Sequence, residues 1–297
     1  MPRALSDYAL IDWLRLRPAL EAHRDWQVRR RTGAFIRQPA RVGDVDAIQA
    51  AMRGSQVMVT IAFNDPEILE RQIIALRAFA PGPLHIIADN SNDPQRASEI
   101  ATLCERLGTP YLRLPANPWD ARSPSRSHGA ALNWVWRRLI QPARPEAFGF
   151  LDHDLVPLAL DDPFEALERQ PVAGDKRWAG DRWYLWAGYC FFRMSAIEGL
   201  ELDFGQDWSL GLDTGGGNWS ALYSRLDPDA IAQRNLDPMP LFPDRATHEC
   251  YYELRGAWLH EVGLHGLPAL RAQKRARVLE LIDEALINAG SATTTSR

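Results

Sequence analysis

The chain has 297 residues, 46% of them apolar, with 34 basic and 38 acidic side chains for a net charge of -4. That length suits one large α/β domain or two small ones, and the apolar fraction is ordinary for a globular core. Near-balanced charge argues against a nucleic-acid partner held by its phosphates, and three widely spaced cysteines (Cys104, Cys190, Cys250) with no Cys-x-x-Cys pair argue for buried free thiols, not disulfides or a zinc knuckle.

Residues 1–54 are expected to form a helical extension, with Leu10, Trp13, Leu14 and Leu20 spaced for one packed face. The first twenty residues carry charge throughout, without the uninterrupted apolar stretch of a secretory signal, and no later apolar run approaches spanning length. A cytoplasmic protein is the expectation.

From residue 57 strands and helices alternate. VMVTIAF (57–63) is short and β-branched enough for a buried strand, and Asn64-Asp65-Pro66 then supplies a turn, an N-cap and a proline at the first helical position. Ile68, Leu69, Ile73, Leu76 and Phe79 follow at helical spacing. LHIIA (84–88) is a second strand, and Ile100, Leu103 and Leu107 stripe a helix closed by Gly108. YLRL (111–114) is a third strand, PANPWDARSPSRS a polar loop, and Leu132, Val135, Trp136 and Leu139 mark the next helix. FGFL (148–151) is the fourth strand and runs into Asp152-His153-Asp154. Such alternation predicts a mainly parallel sheet with helices on both faces, and ligands in such sheets bind beyond the carboxyl ends of the strands. Asn64, Asp89 to Asn92, the 115–126 loop and Asp152 to Asp154 all fall at that edge.

After residue 160 the alternation stops. WYLWAGYCFFRM (183–194) reads as an aromatic strand extending the same sheet, Asp213 to Trp219 as a flexible loop with Gly215 to Gly217 as a hinge, and WLHEVGLHG (258–266) as a late segment with two histidines. Residues 271–290 form an amphipathic helix and the last seven an unstructured tail. The basic start of that helix (Arg271, Lys274, Arg275, Arg277) is a plain surface or a contact for an anionic membrane. Of the 11 tryptophans, eight lie between Trp119 and Trp219, a concentration suited to core or to a ligand surface. Trp178, Trp183, Trp186, Trp208 and Trp219 offer flat faces to sugar rings, and Arg122 and Arg126 offer guanidinium forks to a diphosphate.

Alternate residues leaving a strand point the same way, so Asp152 and Asp154 can face one ligand while His153 points elsewhere. Two carboxylates held together repel unless a cation joins them, and a hard divalent ion that bridges carboxylates to phosphate oxygens fits. With Asp-x-Asp at the end of the fourth strand, the sequence resembles the metal-dependent glycosyltransferases of the GT-A fold, especially those like family 2, over roughly residues 57–265.

That resemblance implies a transferase moving a sugar from a nucleotide sugar, a UDP- or GDP-sugar first among them, to a hydroxyl on a glycan, lipid-linked or small-molecule acceptor, with Mn2+ or Mg2+ as cofactor. It implies a donor-binding half over 55–158, an acceptor-binding half over 159–270 and a C-terminal piece over 271–297. The first strand and turn (Ala62, Asn64) would open the nucleotide pocket, Asp89 with Ser91 would meet base or ribose, and His128-Gly129 would lie near the sugar, although the Ala-Arg-Asn found there in the family is absent. Asp152 would lie near ribose and metal with His153 beside it, and Asp154 would ligate the metal. His260 would be a further ligand, with Glu261 and His265 close by. An inverting enzyme would also need a carboxylate base, for which Asp213 in GLDTGGGNW stands as candidate; a retaining enzyme would need none. Two other readings stay open: a haloacid-dehalogenase-like phosphohydrolase with Asp152 as nucleophile, and a non-catalytic nucleotide-sugar-binding protein. A nicotinamide oxidoreductase is disfavoured, because no Gly-x-Gly-x-x-Gly follows a strand.

Overall fold

The computed structural model describes residues 5–119, 123–232, 236–241, 251–262 and 268–295. The chain opens with helices α1 (Leu10–Leu14), α2 (Arg17–Arg37) and α3 (Val45–Met52). Here one expectation fails: Leu10, Leu14 and Leu20 are 63–78% exposed and Trp13 is 45% exposed. The spacing that seemed to align them runs across a helix break, where Leu16 adopts a left-handed φ of 54° and α2 starts afresh. Helical periodicity does not carry through such a break. The far end of α2 is anchored instead, by buried Phe35 and by the Trp134 indole, which donates to the Gln38 carbonyl at 2.9 Å.

The alternation then follows as read: β1 (Gln56–Ala62), α4 (Pro66–Phe79), β2 (Leu84–Asp89), α5 (Pro94–Leu107), β3 (Tyr111–Arg113), α6 (Pro124–Val135), a π-helical turn (Trp136–Ile140), α7 (Gln141–Ala143) and β4 (Ala147–Asp152). Helix starts are chemically marked. Asp65 accepts from the Ile68 amide and Asp93 from the Gln95 amide, each with proline in the first turn, and Gly108 closes α5 at φ 58°.

The chain continues through β5 (Leu155–Pro157), β6 (Val172–Ala179), β7 (Arg182–Arg193), α8 (Met194–Ile197), β8 (Asp237–Pro240), β9 (Tyr251–Arg255), β10 (Trp258–His260) and α9 (Pro268–Thr295). The described strands form a six-stranded sheet in the order β3-β2-β1-β4-β7-β6, parallel from β3 to β4 with antiparallel β7 and β6 at one side. Helices cover both faces. Val57, Val59 and Ile61 of β1 face Met52, Ala131 and Leu132 of α3 and α6, while Ala62 and Ile87 meet Leu69 and Ile73 of α4 and Ile100 of α5.

A second sheet, β5-β10-β9-β8, is entirely antiparallel and was not foreseen. It packs with α9 on the outer side of α4, where Ile68, Ala75 and Phe79 bury against Val156, Leu259, Val278 and Ile282. At roughly 1.5–3 kcal/mol for each large aliphatic side chain withdrawn from water, this seam is a substantial part of what holds the second sheet in place. Helix α9 runs through Thr295, beyond the expected start of an unstructured tail at Ser291. Gly290 costs a helix only about 1 kcal/mol and no proline follows to stop it. The basic start of α9 divides: Arg271 is exposed and Arg277 pairs along its own helix with Glu280, whereas Lys274 is 3% exposed and donates to the Val262 carbonyl, and Arg275 is ion-paired with Asp65 and Glu261. No helix among the described residues is long and apolar enough to cross a membrane. Cys104 and Cys190 are buried free thiols, both pushed up by burial, and Cys250 lies outside the described residues.

Candidate active site

The Asp152-His153-Asp154 turn is where the chain leaves one sheet for the other. Asp152 ends β4, in register with Ile61 of β1, and Leu155 begins β5. Strand β10 pairs antiparallel with β5, putting His260 opposite Leu155, and the Glu261 amide donates to the Asp154 carbonyl at 3.0 Å. One carboxylate oxygen from each aspartate and one His260 ring nitrogen lie within 4.8 Å of one another.

The imidazole is oriented from behind. Glu253, directly across from His260 on β9, meets Nδ1 at 2.7 Å, leaving Nε2 to face Asp154 Oδ1 at 3.5 Å. Glu253 is in turn approached by Arg177 at 3.8 Å, and Arg177 is held by buried Asp175 at 2.8 Å while lying 4.7 Å over the Trp186 ring. Trp186 packs on the His260 ring at 4.7 Å. A carboxylate fixing the far nitrogen of a histidine is how proteins orient that side chain toward a cation.

The charges of the pair are strongly linked. Burial opposes ionisation of Asp154, but the facing His260 outweighs it and holds the carboxyl well below the usual carboxylate range. Burial likewise opposes a charge on His260, yet Asp154 first and Glu253 second push the imidazole up to about 10.

Two residues that sequence reasoning did not single out shape the turn. Gln72, fully buried on α4, donates to the carbonyls of Asp152 at 2.6 Å and Leu155 at 2.7 Å, and its own oxygen accepts from the Thr60 hydroxyl at 2.8 Å. Gly188 on β7 leaves the space that Asp152 and Trp186 fill: a Cβ there would sit 2.6 Å from Asp152 Oδ2 and 2.2 Å from the Trp186 ring. A signal for each was present, namely a polar residue within an apolar helical stripe and a glycine inside a strand. Glu253 carried none, because only the pairing of β9 with β10 gives it meaning.

The other sequence candidates divide. His128, near the start of α6, comes to the site, with Nε2 3.2 Å from Asp152 Oδ1. Asn64, at a left-handed φ of 56°, ties the first two turns together: its side chain donates to Asn92 at 2.6 Å and its amide to the Ser91 hydroxyl at 2.8 Å. Asp89 is fully buried, with Oδ1 taking the Ser91 amide and hydroxyl and Oδ2 taking Tyr111 and Arg113. It thus organises the loop that borders the crevice instead of being presented to a ligand. Ala62 also turns inward, into the core under α4 and α5. Asn90, from the same loop, donates to Ser127 at 3.0 Å and accepts from Asn117 at 2.9 Å, joining the β2 turn to α6 and the long loop.

Gly129 serves packing: a Cβ would lie 2.8 Å from Gly205 Cα, so α6 and the 203–205 segment touch backbone to backbone. Asp213 is exposed and accepts from Gln206 at 2.7 Å. The glycines after it are no hinge. Gly215 and Gly216 are buried, and a Cβ on Gly215 would meet the Leu185 carbonyl of β7 at 2.4 Å, so this turn is pressed onto the strand that carries Gly188. Trp183 is buried, Trp219 half-buried, and Trp178 and Trp208 are exposed. His265 and Arg122 lie outside the described residues.

No protein-family model and no curated protein matches the sequence. Among solved structures, the chain is similar to the mannosyltransferase PcManGT from Pyrobaculum calidifontis, in complex with GDP-Man and Mn2+, at 14% identity over 91% of this chain and 81% of that one, with a TM-score of 0.41. It is also similar to the WbbM bifunctional glycosyltransferase in its apo form, at 16% identity over 48% of this chain and 32% of that one, with a TM-score of 0.33. The match thus spans about a third of WbbM.

Proposed function

We propose that this chain is a metal-dependent glycosyltransferase with a GT-A-like layout, moving a sugar from a nucleoside-diphosphate sugar to an acceptor hydroxyl with inversion. The observation that carries the reading is the convergence of Asp152, Asp154 and His260, with ligand atoms within 4.8 Å, at the carboxyl edge of the parallel strands. Two carboxylates and an imidazole form a mixed oxygen and nitrogen set, which suits Mn2+ better than Mg2+ with its demand for oxygen ligands and bound water. When bound, such an ion supplies Lewis acidity to the departing diphosphate.

The chain's own residues do the rest. Glu253 holds the His260 ring, Gln72 holds the turn between the aspartates, and His128 stands against Asp152 on the crevice side. The Asn64, Ser91 and Asn92 cluster forms the polar floor on which base and ribose would rest. Residues 55–158 are the donor half and 159–270 the acceptor half. Asp213, exposed and oriented by Gln206, takes the acceptor proton.

The test is a thermal-shift panel of UDP, GDP, CDP and dTDP with and without Mn2+, on wild type and Asp154→Ala, followed by turnover of the matching nucleotide sugar. A Mn2+-dependent shift with one nucleotide, absent from the variant, is expected. Full activity in Asp154→Ala would remove the site assignment, and nucleotide binding without any diphosphate release would mark a binding protein instead.

A further inference from the structure

We infer that the cleft between α2, α6 and the 202–208 loop binds a single sugar ring bearing an oxyanion, a carboxylate or a phosphate. The cleft has a volume of about 250 Å³, below the range of drug-sized sites, which begins near 300 Å³. Its lining combines the three chemistries such a ring requires. For the anion there is Arg126, whose guanidinium lies between two indoles, 5.5 Å from Trp119 and 5.3 Å from Trp208. Its Nε is buried and has no hydrogen-bond partner among the described residues. For the ring face there is Trp208, 53% exposed beside the cleft. For a hydroxyl there is Gln206, whose Oε1 is buried without a partner among the described residues while its Nε2 donates to Asp213 at 2.7 Å. The carboxylate at Asp213 can only accept, so the amide's orientation is determined.

Cations crowd this place. Arg31 also lies over Trp119, at 5.5 Å, and Arg29 lines the cleft. Burial first and the charge of Arg24 second hold the Arg126 pKa below its ordinary value, with Asp25 offsetting part of it. Among the described lining residues the acid is Asp203, and it is already engaged, accepting from Asn133 at 2.6 Å and from the Gly205 amide at 2.8 Å. Gathered guanidinium groups with a desolvated N–H that no described residue engages favour an oxyanion, and arginine reads carboxylate and phosphate alike through paired hydrogen bonds.

The link from Gln206 to Asp213 gives the cleft its place in the reaction. A ring seated on Trp208 with its anion at Arg126 would put a hydroxyl at Gln206, next to the proposed base, and the bound sugar is then the acceptor. That last step alone rests on the glycosyl-transfer reading. The anion site stands without it.

Titrations followed by tryptophan fluorescence, with glucuronate, glucose 6-phosphate, neutral glucose and inorganic phosphate, test the inference on wild type, Arg126→Gln, Arg126→Lys and Trp208→Ala. Circular dichroism melts check that each variant folds. At least one charged sugar should bind ten or more times tighter than both glucose and phosphate, and the tighter of the two identifies the oxyanion. Arg126→Gln should abolish that advantage, Arg126→Lys should keep part of it, and Trp208→Ala should weaken the charged sugars by about tenfold. Equal binding of glucose, or an Arg126→Gln protein that binds like wild type, overturns the proposal. The nucleotide and Mn2+ shift of the wild type, measured in the same series, separates the two readings. Charged-sugar binding without a nucleotide shift sinks the transferase and leaves the cleft, whereas the reverse pattern sinks the cleft.

Discussion

The two sheets meet at one turn but were put together by different rules. In the parallel sheet β1 and β2 are each followed by their own capped helix and β3 by α6, so Asn64, Asp89 and Asp152 reach the carboxyl edge through connections that are local in sequence. The antiparallel sheet joins β5 at residues 155–157 to β10 at 258–260, about a hundred residues later, and only that pairing brings His260 to Asp154. The two aspartates of the candidate metal group are delivered by local geometry and the histidine by a long-range contact. The parallel sheet should therefore tolerate damage to the second sheet while the site does not.

The strongest way to break the joint is at its centre. Asp154→Asn removes the charge facing His260 and one of the three donor groups, and kcat/KM should fall by about a thousandfold or more, roughly 4 kcal/mol of transition-state stabilisation. The Mn2+-dependent thermal shift should vanish with it, while far-ultraviolet circular dichroism stays unchanged. A retained shift would place the metal elsewhere.

Gly188→Ala attacks the same turn from β7, which the parallel strands and the second sheet both approach. The added methyl would lie within 2.6 Å of Asp152 and 2.2 Å of Trp186, too close for either to stay in place. Displacing a reacting group by about 1 Å costs on the order of a hundredfold in rate, and overpacking costs about 1–3 kcal/mol in stability. Steady-state kinetics and a urea melt read the two effects separately, and an unaffected kcat would mean that Asp152 has freedom the structure does not suggest.

Glu253→Gln tests the second sheet alone. The amide preserves size but loses the charge that fixes His260 Nδ1, and loss of such a partner lowers metal affinity by about 10- to 100-fold. Isothermal titration with Mn2+ should show that loss with the fold intact. An affinity equal to wild type would reduce Glu253 to a packing contact.

This division also explains what could be read from the sequence. The strand and helix order, the caps at Asp65 and Asp93 and the edge position of Asp152 are local patterns, and they were legible. His260 was legible only through resemblance, Gly188 only as an unexplained glycine inside a strand, and Glu253 not at all, because its role exists only after β9 and β10 are in register. Leu10, Trp13, Leu14 and Leu20 misled for the converse reason: a helical spacing was extended through Leu16, where the helix stops. Asp89 was placed at the right edge, but its burial beneath Tyr111 and Arg113 depends on the third strand.

The smallest effect is expected on the parallel side, in the Thr60, Gln72 and His85 chain. Gln72 holds the Asp152 turn, and the Thr60 hydroxyl that donates to Gln72 is itself 2.9 Å from His85 Nε2. Because that hydroxyl proton is spent on Gln72, Nε2 must be the donor to Thr60, which suits a neutral ring with its proton there. Burial first and Arg77 second lower the His85 pKa from 6.5 to about 3. Above pH 6.5 the ring is neutral both folded and unfolded and contributes no pH dependence. Below it the unfolded chain takes up a proton that the folded ring refuses, so stability falls with pH until the folded value is reached. The limiting slope is about 1.4 kcal/mol per pH unit, and with His85 partly open to solvent a loss of about 1 kcal/mol between pH 6.5 and 5 is expected. Urea midpoints of wild type and His85→Gln across that interval isolate the effect, since other groups titrate alike in both. Parallel curves would mean that His85 takes up its second proton, at Nδ1, as readily in the folded protein as in the unfolded chain, with Nε2–H still donating to Thr60.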